Sequence, residues 1–278
     1  MKPKHIAILY CSLALLSGPA AQAENSSAKT AKAAKTSART EELKPARRKL
    51  ISSDRNIFRA GVLIGTDIGG AIPVPFRYIP STFNPYPQLN LDMGVFAEFR
   101  LHDRWSLGAN LIYKTVGMKA DARVSNQKYE DQEAGLLQYY TGTAKMDMSF
   151  TMFEVPFYAK YTFSNHVSRL LFGGYFAYNL KAEFETLATK GYSGGEPDKV
   201  EVIIEKGGEP INMSFTSSLR DFDAGVTVGY EHTLYNRLNI GIRVSMGFLD
   251  IFRNDTKYFD YKMLHMRGSI IVGYRLFH

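Results

Sequence analysis

The sequence predicts an all-β fold: an eight-stranded antiparallel transmembrane up-and-down β-barrel, preceded by a disordered tail. Three observations predict it. Apolar residues recur at every second position from Phe58 onward, the connections between the resulting strands alternate between short and long, and the charged residues keep to one face of each strand.

Strands are expected over 58–67, 89–101, 105–116, 153–163, 169–182, 222–231, 238–249 and 266–277. The second lines up Leu89, Leu91, Met93, Val95, Ala97, Phe99 and Leu101 on one face; the seventh lines up Leu238, Ile240, Ile242, Val244, Met246 and Phe248. Fifteen charged residues fall within these spans, and all fifteen lie on the less apolar face, more agreement than choosing each strand's register could produce. In the fourth strand, Phe153, Val155, Phe157, Ala159, Tyr161 and Phe163 alternate with Glu154, Pro156, Tyr158, Lys160 and Thr162. Pro156 removes one N–H from a ladder that, in a closed barrel, has no edge, so a bulge or a gap facing a polar lumen group is expected there.

Connection lengths decide which solvent meets the apolar face. His102 to Arg104, Ser164 to Ser168 and His232 to Arg237 are short; 68–88, 117–152, 183–221 and 250–265 are long. Short turns at one end and long loops at the other, with an even strand count, is the plan of an outer-membrane barrel. Spans of ten to fourteen residues suit a tilted bilayer crossing, whereas globular strands centre near five or six. Phe99, Trp105, Tyr161, Phe163, Tyr230 and Tyr274 gather at the short-turn end of the apolar face, as aromatics do at a lipid–water boundary. Above Gly117 and Phe153 the apolar parity switches to even positions (Met118, Ala120, Ala122; Met146, Met148, Phe150, Met152), which predicts a paired extension beyond the membrane after matching bulges.

The N-terminus reads as an export leader. Lys2 and Lys4 precede an apolar stretch from Ile6 to Leu16 and then Ala21-Gln22-Ala23, so 1–23 is expected to be a signal peptide. Cys11 is the one cysteine and lies inside that leader, which excludes thiol chemistry from a mature chain. No later segment has 18 consecutive apolar residues, so no helical span is expected. Residues 24–57 hold nine Lys and Arg against four acidic residues, a net of +5; with the leader's +2 this accounts for the overall +7 and leaves 58–278 neutral. Poor in large apolar groups, 24–57 is expected to be a disordered periplasmic tail. Nucleic acid is not an expected partner for an exported chain.

A barrel of eight strands has an interior that side chains fill. The expected lumen set is Arg59, Asp67, Asp92, Glu98, Arg100, Lys114, Glu154, Lys160, Asp223, Glu231, Arg243, Arg267 and Arg275, together with Arg169 and Lys181. Charges of both signs should pair and plug the barrel. A conducting pore would sooner show a ring of one sign.

Several runs carry a family resemblance: Phe153-Glu154-Val155-Pro156 with Lys160-Tyr161, GGYFAYNL from Gly173, FDAGVTVGYEH from Phe222, GFLDI from Gly247 and the closing IIVGYRLF. In their order and spacing, 58–278 resembles the PorT-like outer-membrane β-barrel family. The resemblance implies insertion by the general barrel-assembly machinery, outer-membrane lipid as surroundings, and for some members a part in protein secretion with other envelope proteins. A terminal aromatic is usual in that family, and here Phe277 is followed by His278.

Chemical motifs are scarce. His102, His166 and His232 fall at short turns spread around a rim, which does not converge ligands on a metal ion. His265 and Ser269 raise a lipid-hydrolysing barrel, but four residues of strand hold them about 13 Å apart. No catalytic residue, metal ligand or cofactor is expected. The loop IPVPFRYIPSTFNPYPQ from Ile72 should be stiff and exposed, and KVEVIIE between two GGEP turns reads as a small strand. The expected role is a non-enzymatic integral outer-membrane component acting through its outer loops and periplasmic tail. A narrow porin-like channel, a lipid-modifying enzyme and a soluble lipocalin-like carrier are the alternatives.

Overall fold

The computed structural model describes residues 57–79, 84–86, 88–130, 136–235, 237–253, 258–259 and 261–277. The expected leader (1–23), the expected tail before Ile57, and His278 lie outside the described residues. Among the described residues eleven strands follow one another: β1 (Phe58–Val74), β2 (Asn84–Tyr86), β3 (Asn90–Arg100), β4 (Trp105–Glu130), β5 (Leu137–Thr162), β6 (Ser168–Gly194), β7 (Val202–Ile204), β8 (Ile211–Ser214), β9 (Phe222–Thr233), β10 (Leu238–Gly247) and β11 (Lys262–Phe277). Eight of them close a ring in the order β1, β3, β4, β5, β6, β9, β10, β11 and back to β1, each pair antiparallel. Closure leaves no edge in the apolar zone, where an unpaired backbone group would have neither water nor partner.

The chain's alternation sets which side chains point out. Val62, Ile64, Met93, Val95, Leu107, Leu111, Phe153, Val155, Phe176, Val228, Ile242 and Ile270 are all exposed on the outer surface, forming one apolar belt. At the short-turn end Trp105 meets Tyr161 edge to face at 5.1 Å and Phe172 at 5.9 Å, while Tyr161 meets Phe163 at 5.5 Å. From Trp105 to Thr115, β4 advances ten residues, about 34 Å of strand and about 25 Å of height at a tilt near 45°.

β4, β5 and β6 do not stop there. They run 26, 26 and 27 residues, well past the belt. Much of what the sequence suggested as the loop 117–152 is therefore strand, and the loop expected from Ile72 begins as the last turn-ward residues of β1. Short strands cover the flanks of this extension: β2 pairs β4 at Lys119–Asp121, and β8 and β7 pair β6 at Glu185–Ala188 and Gly191–Ser193. The small strand read within KVEVIIE is β7.

Matching bulges do not mark the start of the extension on β4 and β5. Their ladder keeps one register from Trp105 opposite Tyr161 to Val124 opposite Gly142 and shifts only above Val124. Even-numbered residues of both strands face inward along that length, from Ser106 and Lys160 to Ala122 and Ala144. The direction of the side chains is constant; their chemistry inverts. Below, the outside is apolar and the inside charged. Above, Lys119, Arg123, Lys145, Asp147 and Ser149 are exposed and Met118, Ala120, Met148 and Phe150 are buried.

A bulge does occur on β6, where the register against β5 shifts between Thr151 and Met152 and leaves Leu180 as the extra residue. Odd residues face in below it (Arg169, Leu171, Tyr175) and even residues above it (Phe184, Thr186, Ala188). Lys181, expected in the lumen, is thereby turned outward, where it is exposed and pairs with Glu183 at 2.8 Å. Pro156 is accommodated by a gap without a bulge. Ala109 opposite Phe157 and Ile112 opposite Glu154 share one register, and the pairing lapses between them at Asn110 and Leu111.

Candidate functional site

The inside of the barrel is built in layers, and inward glycines make the largest side chains fit. A Cβ on Gly108 would sit 2.6 Å from the Tyr158 ring, and one on Gly225 2.7 Å from the Tyr175 ring. Each tyrosine therefore folds across a strand position that cannot carry a side chain.

Nearest the short turns, Lys160 pairs directly with Glu98 and, at 2.9 Å, with Glu231; Arg169 pairs with the other Glu231 oxygen at 2.9 Å. Tyr158 roofs this layer, its ring 5.3 Å from the Lys160 ammonium and 5.2 Å from the Arg243 guanidinium. With its amide oriented so that both ends are satisfied, Asn110 donates to the Tyr158 hydroxyl at 2.9 Å and accepts from Arg243 at 2.8 Å. That amide stands where the ladder lapses opposite Pro156. Arg275 is buried and donates to Asn239 at 3.2 Å, and Arg59 is buried on β1. Arg100, the last residue of β3, leaves the lumen: the wall ends there, and it pairs with Asp103 of the adjoining turn at 3.0 Å, partly exposed.

An apolar layer of Leu63, Phe96, Ile112 and Ile271 closes the middle. Above it Lys114 has three carboxylates within reach, Asp67 at 2.8 Å, Glu154 at 3.3 Å and Asp92 at 3.6 Å. Arg267 pairs with Glu154 at 2.7 Å and lies 5.0 Å from the Tyr175 ring, whose hydroxyl donates to Asp223 at 2.7 Å. Asp67, Asp92, Glu154 and Asp223 thus outnumber the two cations of this layer. Lys114 and Arg267 are each met by carboxylates, and removing either cation leaves buried carboxylates without its counter-charge.

Higher still the interior is apolar and aromatic. Phe184 stands among Phe215, Phe252 and Phe259 at 5.2, 5.9 and 6.1 Å, and Met118, Met148, Met152, Met213 and Met263 are buried around them. His265 belongs to this zone, buried edge-on to Phe150 at 4.8 Å; His265 and Ser269 both face the interior, away from the belt. His166 sits at a positive φ in the 163–167 turn, which Asn165 organises by accepting from the N–H groups of Val167 and Ser168. Among the described residues no cluster of His, Cys, Asp or Glu could hold a metal ion.

Of the girdle residues, Phe99, Trp105, Phe163, Tyr230 and Tyr274 are exposed and Tyr161 half-buried, all on the outer surface. The two inward tyrosines Tyr158 and Tyr175 and the methionine-rich zone did not figure as site residues in the sequence reading. Their signal was there: inward parity opposite an inward glycine, and three methionines at even positions from 146 to 152.

Comparison with known proteins bears on this geometry. The family model described as outer membrane protein beta-barrel domain matches residues 42–253. The chain belongs to that family. This outer membrane β-barrel is therefore an integral outer-membrane protein, and the apolar belt is its lipid-facing surface. Among solved structures it is similar to Ail, the attachment invasion locus protein of Yersinia pestis, in complex with the heparin analogue sucrose octasulfate. That match has 11% identity and a TM-score of 0.38 over 80% of this chain and 100% of that one. It is also similar to the outer membrane protein OprG from Pseudomonas aeruginosa, at 11% identity and a TM-score of 0.28 over 80% of this chain and 94% of that one. No curated protein matches.

Proposed function

We propose that this outer membrane β-barrel is a non-enzymatic, non-conducting anchor that works through the structures at its long-loop end and through its N-terminal tail. In this reading the long-loop end faces the cell exterior, and the short turns and the basic tail face the periplasm. The observation that carries it is the pairing of a filled lumen with an extension of three strands. Two ion-paired layers and an apolar layer occupy the barrel along its axis, while β4, β5 and β6 rise past the belt as a braced wall. Opening a water path would separate buried charges from their partners, at several kcal/mol for each broken pair. The partners that fit are other envelope or secretion proteins, as the PorT-like resemblance implies, and the barrel-assembly machinery during insertion. The inward placement of His265 and Ser269 speaks against lipid hydrolysis at the outer surface.

Reconstitution in planar bilayers tests the anchor reading directly. The protein is expected to give no discrete single-channel steps; reproducible steps would favour the narrow-channel alternative. Orientation has its own test: a cysteine at Ile203, an exposed β7 position, should react with a membrane-impermeant maleimide on intact cells.

A further inference from the structure

The outer face of the extension carries three cations that the anchor reading leaves without a task. Arg123 of β4 lies opposite Thr143 of β5, which lies opposite Lys190 of β6; Lys145 stands two residues below Thr143 on β5. All four side chains are exposed. Neighbouring strands lie about 4.8 Å apart and same-face residues along a strand about 7 Å apart, so Arg123 and Lys190 stand about 10 Å from one another with Lys145 as the third corner. Lys190 reaches this face through a register shift. β6 pairs Ala188 with Ala144 and Lys190 with Thr143, so Thr189 is the extra residue and Lys190 takes the outward parity.

Other cations of the extension are already paired. Lys119, Lys181 and Lys199 meet Asp147, Glu183 and Glu201 at 2.8, 2.8 and 2.9 Å. Among the described residues no carboxylate comes within ion-pairing distance of Arg123, Lys145 or Lys190. The carboxylates that adjoin them are engaged: Asp121, opposite Lys145, accepts from the Tyr86 hydroxyl at 2.6 Å, and Asp198 accepts from the Asn126 amide at 3.2 Å. Asp147 and Glu185 form the next row towards the membrane. Three unpaired cations of one sign, fixed on a hydrogen-bonded sheet, attract an anion without first having to be ordered.

We infer that this face docks an acidic polysaccharide, sulfated or carboxylated, with Arg123, Lys145 and Lys190 meeting successive anionic groups of the chain. A folded protein partner needs an apolar centre; here the centre is Thr143, with Leu187 exposed at the edge. Lipid phosphates at the edge of the belt are out of reach. Lys145 and Arg123 stand six and eight residues beyond Thr151 and Thr115, about 15–20 Å along the membrane normal at a tilt near 45°. The inference rests on the reading that the long-loop end faces the cell exterior.

The test measures binding of the full-length protein in lipid nanodiscs to immobilised dextran sulfate by biolayer interferometry at 50 mM salt. Arg123→Ala, Lys145→Ala and Lys190→Ala combined should weaken binding at least about tenfold. Lys119→Ala, Lys181→Ala and Lys199→Ala combined, which change the net charge equally but remove paired cations, should weaken it less than about twofold. Raising salt to 300 mM should weaken binding, and neutral dextran should not bind. Heat-modifiable electrophoresis checks that each variant is folded; if the first triple variant is not, Lys145→Ala and Lys190→Ala singly should each weaken binding about twofold. Equal losses in the two triple variants would overturn the site in favour of bulk charge. Full binding by the first triple variant would overturn it in favour of another cationic segment, such as 24–57, which both variants retain. Polyglutamate bound as tightly as dextran sulfate, or binding to phosphatidylglycerol vesicles lost in the same variant, would overturn the ligand class. Failure of the Ile203 cysteine to label on intact cells, with dextran sulfate binding intact, would overturn the orientation and leave the docking face standing.

Discussion

The lower barrel and its extension are built on the same strands with opposite chemistry. On β5, Phe153, Val155 and Phe157 point outward as apolar side chains and Glu154 and Lys160 point inward as charged ones; eight residues earlier, Lys145 and Asp147 point outward and Met148 and Phe150 inward. Side-chain direction follows the pleat, with a period of two and no memory of polarity. Polarity follows the solvent: hydrocarbon outside the lower part, water outside the upper. The same wall is thus a membrane protein below Thr115 and Thr151 and a soluble-type barrel above them.

The contrast is broken most strongly by attacking each interior on its own terms. Lys114→Met, which leaves Asp67, Asp92 and Glu154 around an apolar side chain, should destabilise the refolded barrel by about 3–5 kcal/mol. Urea unfolding followed by heat-modifiable electrophoresis measures it. Phe184→Ala, in the aromatic zone where the ring is fully buried, should cost about 3–4 kcal/mol locally. Its effect should appear as protease cleavage within 117–152 while the membrane-embedded part stays resistant. A loss of the whole barrel instead would mean that the two halves do not unfold separately.

One face of one strand sharpens the comparison further. Val155→Arg puts a guanidinium against lipid and should cost about 2–4 kcal/mol. Ser149→Arg, outward on the same strand and opposite Glu183 of β6, should change stability by no more than about 0.5 kcal/mol. Equal costs would contradict the change of solvent. A further expected effect, confined to the extension, is alkaline. Tyr140 of the extension is buried, with its hydroxyl 2.7 Å from the Thr143 carbonyl and 2.9 Å from that of Lys190. Burial pushes it up to about 12. An unfolded tyrosine ionises near 10, so the folded state holds this proton more tightly. The contribution is therefore whole below about pH 10 and lost as pH rises towards 12. Stability measured across that window should fall less steeply in Tyr140→Phe than in the unsubstituted protein.

The lower barrel was legible in the sequence because hydrocarbon outside and charge inside give period two its largest amplitude. The eight ring strands, the inward acidic residues and the outward aromatics could all be assigned from parity. The extension was legible as strand but not in its construction. Its apolar residues change from odd to even at Gly117 and Phe153; the extension beyond the membrane was expected, but the change of parity was assigned to matching bulges, whereas a change of solvent outside an unbroken ladder produces it. Lys181 was misplaced for the converse reason, since the real bulge at Leu180 carries no turn residue to announce it. Arg100 has inward parity and was misplaced by height alone: it is the last residue of β3, partly exposed, and pairs with Asp103 of the adjoining turn.

Single cysteines along the outward face of β5, from Lys145 to Tyr161, each carrying a fluorophore in bilayers with brominated lipid chains, test the central claim most directly. Quenching should be strong at positions 153, 155 and 157 and absent at 145, 147 and 149. Quenching that continued undiminished to position 145, or that was missing at 155, would contradict a change of solvent along an unbroken strand.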